Sequence, residues 1–267
     1  MSRETPSEYV RKLPWKGQYF FSYEDFAKHF PDKGGPYLRV ALKRLSNSGK
    51  IVSPWSNFYV VMPAEYALLG KIPPVFYIDA LMRHLGRSYY ICLLNAAAIH
   101  GSSHQSPQSF SVMVEAPSIR NVVKNGTKLN FYERKNIPAL YVEKLKTQAG
   151  YINVSSPLLT ALDLVRHETS VGGLSRVATV LDGLVHKLDF TKAGQDLFDN
   201  FSMAVVQRLG YILDIVLGEK ECADFLYRKV HERGFRRVAL KSGKPVHEAV
   251  YDAKWKIWVN QNIEIDE

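Results

Sequence analysis

Cysteine is scarce in this chain of 267 residues: Cys92 and Cys222 are the whole supply. Both lie in apolar, helix-like patterns, which suits reduced core thiols better than a disulfide or a zinc knuckle, and no metal site or cofactor is implied. No run of about 18 apolar residues occurs, and the opening "MSRETPSEYVRKLPW" lacks the apolar core of a signal peptide, so a cytoplasmic protein without a membrane partner is expected. A phosphate-cradling loop is missing too. Gly34-Gly35 precedes a helix without the rest of a P-loop, and Gly172-Gly173 lacks its Lys. With no Gly-x-Ser-x-Gly elbow and no reactive-cysteine context, neither nucleotide-triphosphate chemistry nor acyl transfer finds support, and no catalytic residue is assigned. The most local deficit is of negative charge: between Asp32 and Glu65 there is not one Asp or Glu.

What is present fills an ordinary globular composition, 46% hydrophobic and 23% charged, so a proper core is available. Lys plus Arg number 35 against 26 Asp plus Glu, a net +9, which favours a polyanionic partner, nucleic acid ahead of an anionic membrane. The length suits a compact module followed by a larger domain.

The first sixty residues carry the clearest local signals. Ser7 to Leu13 reads as a short helix and "PWKGQYF" as a turn. "FSYEDFAKHF" then opens a second helix with Ser22 as N-cap and Asp25 three positions on, flanked by the Phe21 and Phe26 pair of a hydrophobic staple. After "PDKGGP", Pro36 begins a third helix at its first position and Gly49 is placed to end it. Leu38, Ala41, Leu42 and Leu45 recur at the spacing of one buried stripe. Arg39, Val40, Lys43 and Asn47 then fall on the outward side, with Tyr37 and Arg44 at its flanks. "KIVSPWSNFYVV" follows as two short strands, Lys50 at the start and Trp55 and Asn57 at the tip. Helix, helix, helix, hairpin is the order of a winged helix-turn-helix. A recognition helix lies in a groove flanked by phosphates, where a carboxylate would be repelled and desolvated. The candidate DNA-binding residues are therefore Tyr37, Arg39, Val40, Lys43, Arg44, Asn47, Lys50, Trp55 and Asn57. A solvated basic helix face is the bland alternative.

"MPAEYALLGKIPPVFY" holds Pro63, Gly70, Pro73 and Pro74 without a sustained period, so the expected division is a winged helix-turn-helix over 1–62, a linker over 63–75 and a larger domain over 76–267. In that domain "YIDALMRHLG" and "SYYICLLNAAAIHG" read as two helices, the latter apolar nearly all round. "SFSVMVEAP", "KLNFYERKN" and "ALYVEKLKTQAGYINVS" read as four or five strands, four helical stretches follow from Ser156 to Arg233, and "KWKIWVNQNIEID" closes as a strand. Strands followed by helices indicate an α+β fold, a mixed α/β C-terminal domain behind the N-terminal module. His100 and His104, with Gln105, share a helical spacing that could suggest a metal pair, but Gly101 interrupts it and no third ligand is near; a hydrogen-bonded turn is the better reading. Glu115, then Glu133 and Lys135, follow apparent strands in the permissive spacing of an Mg²⁺-dependent nuclease. A third possibility is an adaptor that occupies a partner protein's surface through apolar residues such as Phe225 and Tyr227. Further basic residues, Arg120, Lys124, Lys128, Arg134 and Lys135, then Arg228 to Lys244, offer either a second anion contact or a solvated surface.

"YYICLLNAAAIHGSSHQSPQSFSV", residues Tyr89 to Val112, resembles the signature stretch of the AbiE-type (AbiEi) antitoxins of bacterial abortive-infection, type IV toxin-antitoxin systems. "SPLLTALDLVRHETSVGGLSRVATVLDGL" and "WKIWVNQNIEID" are similar to later blocks of that family. The resemblance implies a transcriptional autorepressor acting in phage defence, with an N-terminal winged helix that binds inverted repeats in its own promoter. It also implies a neighbouring nucleotidyltransferase-like toxin, opposed without a stable complex. If three to five of the named basic groups each displace a counterion, affinity for duplex should fall with salt at a log-log slope of roughly −3 to −4 per module. A slope near zero in a salt titration would remove the charge argument.

Overall fold

Two capping boxes begin the chain's first helices. In the computed structural model, which describes residues 4–102 and 107–265, the Thr5 hydroxyl accepts from Glu8 N while the Glu8 carboxylate accepts from Thr5 N, starting Pro6–Lys12 (α1). Ser22 and Asp25 make the same reciprocal pair at the start of Tyr23–His29 (α2), directly after the strand Phe20–Ser22 (β1). The Phe21 and Phe26 rings meet with centroids 5.8 Å apart, the staple read from their spacing. Helix Gly35–Asn47 (α3) holds Pro36 in its first turn and is followed by Gly49 at φ 70. The hairpin Ile51–Trp55 (β2) and Phe58–Val61 (β3) joins β1 in a sheet of order β1-β3-β2. Leu38, Leu42 and Leu45 enter a core of Val10, Leu13, Phe21, Phe26, Phe30 and Ile51, while Ala41 is only half-buried. A short helix, Ala64–Ala67 (α4), lies within the expected linker; Pro74–His84 (α5) then sets Phe76 against Tyr19, Phe20 and Tyr66.

Contacts divide the chain into two units: Met1–Tyr89 with Gln108–Glu133 and Lys144–Ile152, and Tyr90–Pro107 with Arg134–Glu143 and Asn153–Glu267. Strands Tyr89–Ile91 (β4), Phe110–Glu115 (β5), Val122–Lys124 (β6), Thr127–Arg134 (β7), Val142–Thr147 (β8) and Gly150–Ser155 (β9) form a sheet of order β6-β7-β5-β4-β9-β8. β4 corrects the expectation of one helix across "SYYICLLNAAAIHG": the helix is only Leu93–Ile99 (α6), with Cys92 as its N-cap residue. Tyr89, Tyr90 and Ile91 are all buried, and a strand covered on both sides reads as a continuous apolar run, which periodicity cannot tell from a buried helix.

The second unit is mainly helical. Pro157–Arg166 (α7) starts where Ser156 caps Leu159 N with Pro157 next, as its sequence predicts. Glu168–Val171 (α8), Leu174–Leu184 (α9), Gln195–Asp199 (α10), Met203–Tyr211 (α11) and Lys220–Val230 (α12) follow. A small sheet of Val238–Ala239 (β10), Val250–Asp252 (β11) and Ile257–Val259 (β12), with β12 central, completes it. Trp255 is fully buried and its indole N–H donates to Asp214 at 2.9 Å; Lys254 ties Asp214 to Asp224 at 2.7 and 2.6 Å. Gly210 cannot carry a side chain without moving that indole, since a Cβ there would lie 2.1 Å from the Trp255 ring. The architecture is thus mixed α/β with several sheets. Among the described residues no helix is long and apolar enough to cross a membrane. Both cysteines are free, Cys92 buried and Cys222 half-buried.

One charged cluster lies in the core of the second unit. The Tyr90 hydroxyl donates to Asp163 Oδ2 at 2.8 Å, and Arg134 donates to that hydroxyl and stands 3.5 Å from Asp163 Oδ1. The guanidinium also lies 5.2 Å from the Phe201 ring. Burial pushes the Asp163 carboxyl up to about 6 against the pull of Arg134, and burial likewise lowers His167 to about 4. Asp163 therefore contributes most when protonated, and its share of stability falls as pH rises through about 6; His167 acts oppositely, since the unfolded imidazole takes a proton that the buried one refuses. In Arg134→Leu the carboxyl keeps its burial and loses its cation, so unfolding in urea should show a loss of about 3–5 kcal/mol relative to wild type at pH 7.5. That deficit should shrink at pH 5, where Asp163 is neutralised; losing the Arg134 charge also relieves part of the depression of His167, which makes the variant's imidazole less costly at pH 5 and narrows the difference in the same direction. A deficit independent of pH would show that the pair is not what holds the cluster.

Candidate nucleic-acid interface

The burial of Leu38, Leu42 and Leu45 sets the rotation of α3, and at 100° per residue that rotation turns Arg39, Val40, Lys43, Arg44 and Asn47 to solvent. All five are exposed, as is Tyr37, and the apolar pair Tyr37 and Val40 is open at 49% and 48%. The helix brings these six sequence-predicted residues together on one surface. Two are pre-arranged: the Arg39 guanidinium lies 4.5 Å from the centre of the Tyr23 ring, and Lys33 Nζ lies 5.3 Å from that of Tyr37. Stacking of this kind restricts a long cationic side chain and lowers the entropy lost when it engages a ligand.

Beside this surface, α3 and the start of α1 enclose an open groove of about 700 Å³. Tyr37, Val40, Ala41 and Arg44 form one wall and Thr5, Pro6 and Ser7 the other, with Lys50 at the end, its ammonium 3.0 Å from Ser7 Oγ. Of the four acidic residues at and just before α1 and α2, Glu4 is paired with Lys12 and His29, while Glu8 and Asp25 are carboxylates tied up in the two helix caps. Hydrogen bonds from Lys12 and His29 lower Glu4, those from Thr5 lower Glu8, and those from Ser22 lower Asp25. Glu24, the fourth, is exposed on α2.

The hairpin places its two candidates differently. Asn57 occupies the turn at φ 58, a conformation asparagine tolerates better than most residues, and its carbonyl accepts from Tyr23 N at 2.8 Å, tying the turn to α2. Trp55 is half-buried: its ring meets Phe131 of β7 edge-on at 5.9 Å, and its carbonyl accepts from Ser53 Oγ at 2.8 Å. That ring is engaged in packing, which a turn-composition argument does not see.

The rival sites are less developed. Glu133 and Lys135 are exposed and Glu115 is half-buried; among the described residues no group of three His, Cys, Asp or Glu side chains could hold a metal ion. His100 Nε2 lies 2.7 Å from the carbonyl of Ser155, a tie from the end of α6 to β9, while His104 and Gln105 lie outside the described residues. Arg134, grouped by sequence with the surface cations, is instead 3% exposed and spent on Asp163. Nothing in its Glu-Arg-Lys neighbourhood signals this, because its partner lies on α7. Tyr227 packs on Phe235 and Trp255, and Phe225 is half-buried beneath Arg228 and Lys229, so neither offers an open apolar face.

Residues 89–215 match the family model described as the AbiEi antitoxin C-terminal domain. Among solved structures, the RV2827C protein from Mycobacterium tuberculosis is similar in fold, with a TM-score of 0.70 at 16% identity, covering 96% of this chain and 92% of that one. An antigenic nucleotidyltransferase-like protein from Paracoccidioides brasiliensis reaches a TM-score of only 0.38 at 11% identity, over 58% of this chain and 91% of its own, too low to carry an argument. No curated protein matches.

Trp55 offers a direct check on the hairpin. An edge-to-face pair is worth about 0.5–1.5 kcal/mol beyond the area it buries, so Trp55→Ala should lower the thermal unfolding midpoint measurably. An unchanged midpoint combined with weakened duplex binding would instead make the ring a ligand contact.

Proposed function

We propose, from the match of residues 89–215 to the AbiEi antitoxin C-terminal domain family, that this chain is a DNA-binding autorepressor and antitoxin. In this reading residues 1–62 are its winged helix-turn-helix, 63–75 the connection and 76–267 the antitoxin domain. α3 is the recognition helix, entering the major groove with Arg39 and Lys43, flanked by Tyr37, Arg44 and Asn47, while Val40 offers an apolar contact to thymine methyls. The carrying observation is that the whole solvent face of α3 is cationic or neutral, within a stretch that holds no acid from residue 33 to residue 64.

A single module of this kind buries only about 600–1,000 Å² on DNA, modest for tight specific binding, so two copies on inverted repeats of its own promoter are expected to cooperate, through protein contact or DNA bending. The functional partner is a nucleotidyltransferase-like toxin, opposed in the cytoplasm without a stable complex and as part of defence against phage. The chain itself performs no catalytic step in this account.

Replacing Arg39 and Lys43 together by Ala removes two cations from exposed positions and should abolish the shift of a promoter fragment in a gel assay, while leaving the unfolding midpoint near that of wild type. Intact promoter binding by the double variant would overturn the assignment of α3. Co-elution with the toxin on a sizing column would overturn the claim that the two act without a stable complex.

A further inference from the structure

A second segment of the chain repeats the charge pattern of the first. From residue 116 to residue 132, "APSIRNVVKNGTKLNFY" contains Arg120, Lys124 and Lys128 and no Asp or Glu. It folds as the β6–β7 hairpin, closed by Asn125 and Gly126 at φ 51 and 69, the two positive values a tight type I′ turn requires. Its base is pinned where Asn121 Oδ1 accepts from Phe131 N at 2.7 Å.

This hairpin stands beside the β2–β3 hairpin, in the same compact unit. Lys124 Nζ lies 3.5 Å from Ser53 Oγ of β2, and Phe131 of β7 receives the edge of Trp55. The fold thus brings together two acid-free ribbons separated by more than fifty positions in sequence. Cross-strand pairing puts Lys124 opposite Thr127 and Val123 opposite Lys128, so the two lysines project from opposite faces of the tip. Both are exposed, as is Arg120, and Val123 is 71% open. Glu133 lies six residues along β7 from Thr127, about 20 Å away at strand rise, too far to neutralise the tip at physiological salt.

We propose that the β6–β7 hairpin is a second wing, which holds the sugar-phosphate backbone of the duplex flanking the segment read by α3. The proposal rests on the duplex reading of α3 and adds a separate contact to it. Lys124, Lys128 and Arg120 supply the phosphate contacts, and exposed Val123 supplies an apolar contact to the groove wall. Contacts of this type position a protein without reading sequence, so the second wing should strengthen binding to specific and unrelated duplex alike.

The test is a salt titration of binding to a duplex spanning the region upstream of the chain's own gene and to an unrelated duplex of equal length. Lys124→Ala with Lys128→Ala should reduce the magnitude of the log-log salt slope by about 2 and weaken binding to both duplexes about tenfold or more at low salt. The unfolding midpoint should stay unchanged. A charge-matched control, Lys144→Ala with Lys146→Ala on β8 at the other edge of the sheet, should leave the slope as in wild type. A hairpin variant with wild-type slope and affinity overturns the second wing while leaving α3 untouched. An equal loss in the control overturns it too, since net charge alone would then account for the effect. A wild-type protein that ignores both duplexes at low salt overturns the second wing and the reading of α3 together.

Discussion

The packing of three leucines decides what α3 can present. Leu38, Leu42 and Leu45 are each 2–5% exposed, against a cluster rich in phenylalanine. Full burial of each is worth roughly 1.5–3 kcal/mol, so together they hold the helix against rotation far more strongly than a few solvated cations could turn it. Once the rotation is fixed, Arg39, Lys43 and Asn47 have no route back to the interior. Residues that store no folding energy are free to be chosen for charge, and here every choice on that face is cationic or neutral. The cationic face is thus a consequence of the core, with α1 and α2 held in place by caps whose carboxylates already have their hydrogen bonds.

The interior of the second unit is organised differently. Apolar stripes account for α7, α9 and α11, the first of them also capped by Ser156, but Arg134 and Asp163 place opposite charges where neither can meet bulk water. Such a pair costs more to desolvate than its attraction returns unless hydrogen bonds complete it; Tyr90 does this in part, accepting from the arginine and donating to Asp163 Oδ2, while Asp163 Oδ1 and one terminal nitrogen of Arg134 keep no hydrogen-bond partner among the described residues. A pair of this kind discriminates strongly against misaligned packing of β7, β4 and α7, because any shift leaves a charge alone in the core. Specificity of arrangement is its contribution, beyond any net stability.

How much could be read in advance follows from the range of each interaction. Caps, staples and turn residues act over three or four positions, and Ser22 with Asp25, Phe21 with Phe26, Gly49, and Ser156 with Pro157 all stand as their spacing predicts. The α3 surface was legible for the same reason, since one helix carries all of it. β4 was not, because a strand buried on both faces has no alternation to display. Nor was the burial of Arg134 or the seating of Trp55 on Phe131: each depends on a partner from another element, and a basic residue or an exposed-looking turn tryptophan reads the same with or without that partner.

The two hairpins carry that lesson into function. A lysine in a tight turn is ordinarily only a solubilising group, and Lys124 and Lys128 considered alone would be no more than that. Their meaning changes because β2 lies alongside, bringing Ser53 within reach of Lys124 and Trp55 against Phe131. Cations on a rigid frame lose little freedom when they meet a phosphate, and because neighbouring contacts share one frame, the ordering cost of the second is largely met by the first. Acid-free stretches distant in sequence gain this advantage only when folding makes them neighbours. Composition can report that cations outnumber acids, but the position of the excess, and therefore the shape of polyanion it suits, is set by the sheet.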